Sequence, residues 1–503
     1  MLGMKWVAGR DVQLVAKWKH RDAERHELDR HFADDRAYPS CSPGGPPGQR
    51  RGILQSMWGV YSQLRRFGWA FLLILSLGCL RVLAQDVDPN APGDDPDWTF
   101  HVQATAIPQA HGDFHSPYQS TNSLDPNGEL KASFTTTFYV GRRLWKGAEL
   151  YINPEILGGE GLSKTLGIAG FPNGEIYRVD TPTPKPNISR FFVRQTWGIG
   201  EETQAQADGQ NELRRRQRAS RFTLTFGKFS LVDLFDDNKY SHDARTQFMN
   251  WALMDNGAWD FCADTRGYTY GLMLEFVHHA WTVRYGLVEV PKRANGMAMD
   301  LRLGKAHSDN LEVEHDHVIG GHSGALRLMA YGNNAHMGSY RETLDTPAFQ
   351  MDVTKSRAYR LKYGFGVNAE QEITRDLGVF FRYGWNDGHT ETWVFTEIDR
   401  TGSVGLSLAG SRWKRRRDCL GAAFVENGIS KDHREYLAAG GKGFIIGDGR
   451  LNYGREEILE TYYSVSLGKG FSLSPDFQWV ENPAYNCDRG PVPIEALRLH
   501  WEY

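Results

Sequence analysis

The chain of 503 residues has no apolar run of about 20 residues, which excludes a bundle of membrane helices. It has five cysteines, too few for a disulfide-stapled scaffold of this length. No charge sign dominates: 58 Lys and Arg stand against 61 Asp and Glu, which argues against a nucleic-acid partner. The sequence carries no GxSxG elbow, HExxH pair or phosphate-loop motif. Gly440-Gly441-Lys442-Gly443 lacks the strand–loop–helix context of a phosphate loop. Aromatic residues are plentiful, with 15 Trp, 21 Tyr and 26 Phe, which a disordered chain would not carry. The length fits several ordinary domains or one large β-barrel.

The one apolar run, Phe67 to Leu80, is too short to span a bilayer. Arg65-Arg66 precede it and Val82-Leu83-Ala84 follow it, the layout of a secretory signal peptide that starts at Met57. The expected organisation is an unstructured upstream extension (1–56), a signal peptide (57–84), a short linker (85–97) and one domain (98–503). Of the charged residues, 13 basic and 7 acidic ones precede residue 85, so the exported part carries a net charge of −9. It retains three cysteines, Cys262, Cys419 and Cys487.

From Trp98 onward the hydrophobic period is two. Trp98, Phe100, Val102 and Ala104 alternate with Thr99, His101 and Gln103. Tyr359, Leu361, Tyr363, Phe365 and Val367 alternate with Arg360, Lys362, Gly364 and Gly366. Successive strand side chains point to opposite faces, so each segment has one greasy and one polar face. The pattern predicts about sixteen strands, at 98–106, 132–140, 148–153, 190–197, 221–226, 267–276, 282–289, 311–319, 325–331, 359–367, 378–385, 403–409, 419–425, 459–467, 471–480 and 496–503. Gaps between them are alternately short and long, as in outer-membrane barrels with short periplasmic turns and long external loops. The gap 198–220 breaks the rule, being long where a turn is due. The chain ends on Tyr503 inside an alternating segment, the kind of terminal strand that outer-membrane assembly machinery reads. The expected fold is all-β: a transmembrane antiparallel β-barrel of about sixteen strands, with a constriction loop folded inward.

A barrel of this size encloses an aqueous channel. Parity turns Arg190, Arg194, Arg284, Arg327, Arg360, Lys362, Arg382 and Arg498 toward its lumen, with Glu312, Glu314 and Asp316. The segment 227–266 is too aromatic for an external loop: Tyr240, Phe248, Trp251, Trp259 and Phe261 need somewhere to pack. Folded inward, it would present Asp233, Asp236, Asp237, Asn238, Lys239, His242, Asp243, Arg245 and Asn250 to the channel. The candidate solute-contacting residues are Arg190, Arg194, Asp236, Asp237, Lys239, His242, Asp243, Arg245, Trp251, Arg327, Arg360 and Arg382. No cofactor or metal is expected. In Glu314-His315-Asp316-His317, strand alternation separates the histidines from the carboxylates. The basic runs Arg214-Arg215-Arg216 and Lys414–Arg417 read as solvated turns.

Several long motifs resemble the carbohydrate-selective outer-membrane porins (OprB-like). They are Asn238–Gly271 (NKYSHDARTQFMNWALMDNGAWDFCADTRGYTYG), Arg190–Gly198 (RFFVRQTWG), Gly324–Glu342, and Asn482–Tyr503. The resemblance implies a sixteen-stranded barrel that passes monosaccharides and small oligosaccharides down their gradient. It also implies a narrow zone bearing arginines, with Arg190, Arg194 and Arg327 in matching motifs. The sequence departs at Phe261-Cys262, where an aromatic-Pro pair is expected, and at Cys487, where a basic residue is expected. Expected partners are small carbohydrates, outer-membrane lipid and lipopolysaccharide, with monomer and homotrimer both open. The alternatives are a general or anion-preferring porin, motivated by the lumen arginines, and a barrel hydrolase built around His242 and Asp243.

Overall fold

In a computed structural model of the protein, the two-faced segments close into a single cylinder. The structure describes residues 96–176 and 183–503. The expected extension and signal peptide lie outside the described residues. The strands are β1 (Trp98–His111), β2 (Glu129–Trp145), β3 (Ala148–Gly159), β4 (Lys185–Gln206), β5 (Arg215–Phe229), β6 (Thr269–His278), β7 (Trp281–Val288) and β8 (His307–Ile319). They continue with β9 (His322–Met337), β10 (Ala358–Thr374), β11 (Leu377–Asn386), β12 (Arg400–Gly410), β13 (Arg415–Gly428), β14 (Glu456–Gly468), β15 (Phe471–Glu481) and β16 (Val492–Glu502). Each pairs antiparallel with its neighbours in sequence, and β1 pairs with β16 from Gln103↔Glu502 to His111↔Ile494. The sheet therefore has no edge. Each of the sixteen expected segments falls on one of these strands, one for one.

One end of the cylinder carries tight turns, such as 320–321 and 469–470. Gly320 and Gly321 both take positive φ (62° and 86°), the geometry that matches the twist of a two-residue hairpin. The other end carries the long connections, among them those that include 160–176, 230–268, 338–357, 387–399 and 429–455. The gap 198–220 is not a loop. β4 and β5 run on through it as a paired ribbon with a tip at 207–214.

The outer face is apolar. Val404, Phe424, Leu459 and Trp479 form a row across β12 to β15, and all are exposed. The inner face is polar yet covered: Lys362, Glu460 and Arg498 have no exposed surface. What covers them is the segment 230–268, folded into the lumen as its aromatic content required. Glu312 on β8 accepts a hydrogen bond from Asp236 N at 2.8 Å. Glu460 on β14 accepts from Met249 N and Asn250 N at 2.5 and 2.9 Å. Asn310 on β8 accepts from Trp259 Nε1 at 3.1 Å. Gly366 and Gly384 face each other across β10 and β11, and Asn256 fills the space that a Cβ on either would need. The absence of side chains there admits the loop against the wall. Trp251, Phe261 and Phe395 then stack at centroid distances of 4.5 to 5.9 Å, so the segment 387–399 shares the same apolar core.

Candidate functional site

The inward segment does not fill the whole cross-section. Beside it lies a cavity of about 350 Å³, bounded by β2, β3, β4, the segments 174–175 and 230–268, and the tip 207–214. This is within the size range of small-molecule sites, about 300–1,000 Å³. Four arginines (Arg190, Arg194, Arg245, Arg266) and five carboxylates (Glu155, Glu175, Glu212, Asp233, Asp243) line it, with Tyr139, Phe192, Trp251, Phe261 and Tyr268 as aromatic surfaces.

Arg190 and Arg194 stand on β4 four residues apart, so strand alternation puts both on the lumen face. Arg190 grips Asp233 through two bonds, Nε to Oδ2 at 2.7 Å and Nη2 to Oδ1 at 2.5 Å. Its guanidinium also lies 5.3 Å over the Tyr268 ring. Its Nη1 is covered and donates to no atom of the described protein. Arg194 Nη1 meets Glu212 at 2.7 Å, and its guanidinium lies over Tyr151 and Phe192 at 5.2 and 5.6 Å. Arg245 Nε meets Glu175 at 2.9 Å, and Thr135 Oγ1 donates to the same carboxylate at 2.6 Å. Glu155 accepts from Tyr268 OH at 2.9 Å and from Thr137 Oγ1 at 3.1 Å. Burial alone would raise the Asp243 carboxyl, but the Arg245 guanidinium and backbone N–H hold it below its usual range.

Of the expected residues, Arg190, Arg194, His242, Asp243, Arg245 and Trp251 border this cavity together. The others lie elsewhere. Asp236 is buried against the wall, 3.0 Å from Arg382 Nε. Arg382 itself donates to the carbonyls of Leu253, Asp236 and Ser241 at 2.8, 3.1 and 2.5 Å. Arg327 pairs with Glu314 and Glu370 at 3.1 and 3.3 Å. Arg360 pairs with Glu342, Lys239 lies 3.6 Å from Glu372, and Asp237 lies 4.0 Å from His242. Sequence reasoning missed Glu155, Glu175 and Glu212. Glu155 continues the inward parity of Tyr151 and Asn153, but Pro154 hides it by interrupting the strand pattern; the ladder slips there by one residue.

Residues 121–503 match the profile of the carbohydrate-selective porin, OprB family. The chain belongs to that family. Its barrel is similar to the high-pH structure of Pseudomonas putida OprB, with a TM-score of 0.61 at 16% identity, covering 81% of this chain and 94% of that one. Porin AaxA of Chlamydia abortus is 22% identical over 280 residues, 56% of this chain and 53% of that porin. Porin AaxA of Chlamydia trachomatis serovar D is 25% identical over 280 residues, 56% and 52% of the two chains. The match thus spans about half the length of those curated relatives. Family and fold are those of a channel rather than an enzyme, and they place this OprB-family porin in the bacterial outer membrane. Its tight turns then face the periplasm and its long loops the outside. Where the sequence departs from the family pattern, Cys262 is a buried free thiol packed in the apolar core.

Proposed function

We propose that this porin passes small neutral carbohydrates through the cavity beside Arg190 and Arg194, by passive diffusion with weak binding and no chemistry. The observation that carries this reading is the composition of the cavity wall. Its arginines and carboxylates nearly cancel, leaving hydrogen-bonding side chains in fixed positions beside aromatic faces. Hydroxyl groups are recognised by such planar donors and acceptors, and sugar ring faces pack on aromatic rings. The guanidiniums of Arg190, Arg194 and Arg245, held in place by Asp233, Glu212 and Glu175, border the cavity and are the donors offered to a passing solute. Weak binding at several such points favours entry without blocking exit. The same charge balance weighs against a general anion pore, which needs an excess of cationic groups.

Liposome swelling with neutral sugars and size-matched amino acids and anions tests the reading. Sugars are expected to enter faster than the others at equal size. Arg190→Ala should cut that preference by about two- to tenfold, the worth of one net hydrogen bond of about 0.5–1.5 kcal/mol. Equal rates for all solutes of one size would remove the carbohydrate reading and leave a general porin. Strong anion selectivity in planar bilayers would favour the anion pore.

A further inference from the structure

The ribbon of β4 and β5 is longer than the wall needs. β3 stops pairing with β4 at Ala148↔Gln195, and β6 stops pairing with β5 at Arg221↔Val277. Residues 199–220 therefore pair with no other wall strand, and an unsupported two-stranded ribbon is marginal in water. This one does not hang free. Between Ile199↔Ser220 and Thr203↔Arg218 the register slips, so that three residues of β4 oppose one of β5, and Gly200 takes φ +72° within that slip. Such a bulge bends a ribbon sharply. The tip closes as a tight hairpin, with Gly209 and Glu212 exchanging two N–H···O bonds of 3.0 Å.

The tip is held inside the lumen by contacts to three wall strands. Asp208 lies 3.1 Å from His101, and Gln210 Nε2 donates to Gln103 Oε1 at 3.2 Å on β1. Asn153 Nδ2 on β3 donates to Asn211 at 2.8 Å, and Leu213 N donates to Tyr151 OH at 3.2 Å. Arg143 on β2 donates to the carbonyl of Arg214 at 3.3 Å. Leu213 is fully buried in one apolar cluster with Tyr151 and Phe192. Asn153 is five residues above Ala148, where β3 begins, so the tip reaches roughly 16 Å along the strand at about 3.3 Å per residue. There Gln210, Asn211 and Glu212 form part of the cavity wall that Arg190 and Arg194 also line.

We infer that the 207–214 tip is a second, periplasm-side constriction of the channel, and that Glu212 is its selectivity residue, cancelling the charge of Arg194. The inward loop narrows the lumen from the outside and the ribbon narrows it from below. A solute leaving the cavity for the periplasm passes the Gln210–Glu212 edge. The inference rests on the reading of this cavity as the solute path, but not on the solute being a sugar. Glu212 sits 2.7 Å from Arg194 and 3.5 Å from Arg215, so its neutralisation takes one negative charge from beside two guanidiniums and makes the site less cation-selective.

The test is single-channel conductance and reversal potential in planar bilayers. In one variant, residues 199–220 are replaced by an Asn-Gly turn joining the paired residues Gly198 and Arg221. Its conductance is expected to rise at least about twofold, since a narrowing in series limits flow. Glu212→Gln in the full chain should shift the reversal potential toward anions in a KCl gradient. Asn211→Cys should let a charged thiosulfonate reagent added on the periplasmic side reduce the current, beyond any effect on the parent with its native cysteines. The two full-length variants decide the matter if the shortened one does not fold. Unchanged conductance in a folded shortened barrel, or no change in selectivity with Glu212→Gln and no block at Asn211→Cys, overturns the inference. Sugar swelling of the parent protein judges the carbohydrate reading separately. A parent that ignores sugars but widens on shortening keeps the constriction and loses the sugar.

Discussion

Arg382 shows how a lumen charge can serve the fold instead of the solute. It is buried, it binds three carbonyls of the inward loop, and it pairs with Asp236. Removing one partner of such a buried set leaves the rest uncompensated, at about 3–5 kcal/mol. Arg382→Ala is expected to lower the thermal unfolding temperature in detergent strongly, with Arg382→Lys recovering part of the loss. His389 is a different case, in an external loop. Its hydrogen bond to Asp432 raises its pKa above the usual histidine value, with Asp387 and Asp399 adding attraction. The same bond, with Arg341 beside it, lowers Asp432 to about 2. The histidine's contribution is full below its unfolded pKa of about 6.5 and is lost as pH rises through its raised folded value. The Asp432 contribution is present above the unfolded carboxylate pKa of about 4 and is lost as pH falls through about 2. Hydrogen exchange around 387–391, corrected for intrinsic rates, should therefore quicken as pH rises through that raised histidine value. His389→Asn should abolish that dependence.

At the scale of elements, the inward loop is held by pairing its backbone with wall carboxylates and amides and by burying its aromatic rings. Trp259 adds a side-chain anchor, its ring 1% exposed and its Nε1 donating to Asn310 at 3.1 Å. Trp259→Ala should cost about 3–5 kcal/mol. It should also give a noisier, wider channel in bilayer recordings, because the anchor is lost and Phe261, which borders the cavity and packs on Trp259 at 5.0 Å, loses its support. The short helix Trp251–Met254 depends on Asn250, whose side chain accepts from Ala252 N at 3.0 Å and donates to Gly170 O at 2.7 Å. This ties 230–268 to the neighbouring external segment. The lumen is thus narrowed by segments that fix one another.

For the whole molecule, stability in the bilayer depends on parity holding round the cylinder. Phe424 sits in the apolar row between Val404 and Leu459. Phe424→Arg is expected to cost about 2–4 kcal/mol if the row lies at the bilayer midplane. Folding titrations into liposomes would measure it. An arginine at the adjacent inward position, Ala423, meets protein rather than lipid and fails by overpacking instead. Equal tolerance of both positions would contradict the assignment of the two faces.

The barrel itself was legible in the sequence because alternation is a local property. Each strand displays its lipid face and its lumen face within a few residues, so sixteen segments and the inward pair Arg190 and Arg194 could be read directly. The inward course of 230–268 was legible for a related reason: its aromatic rings could not remain in water. What only the tertiary structure decided is which lumen groups meet. Asp236 and Asp243 are seven positions apart in one loop, yet one is tied to the wall by Arg382 and the other borders the cavity. Glu175 and Glu212 reach the same cavity from opposite ends of the barrel. Those positions follow from where each loop docks, and docking depends on partners hundreds of residues away that no local pattern encodes.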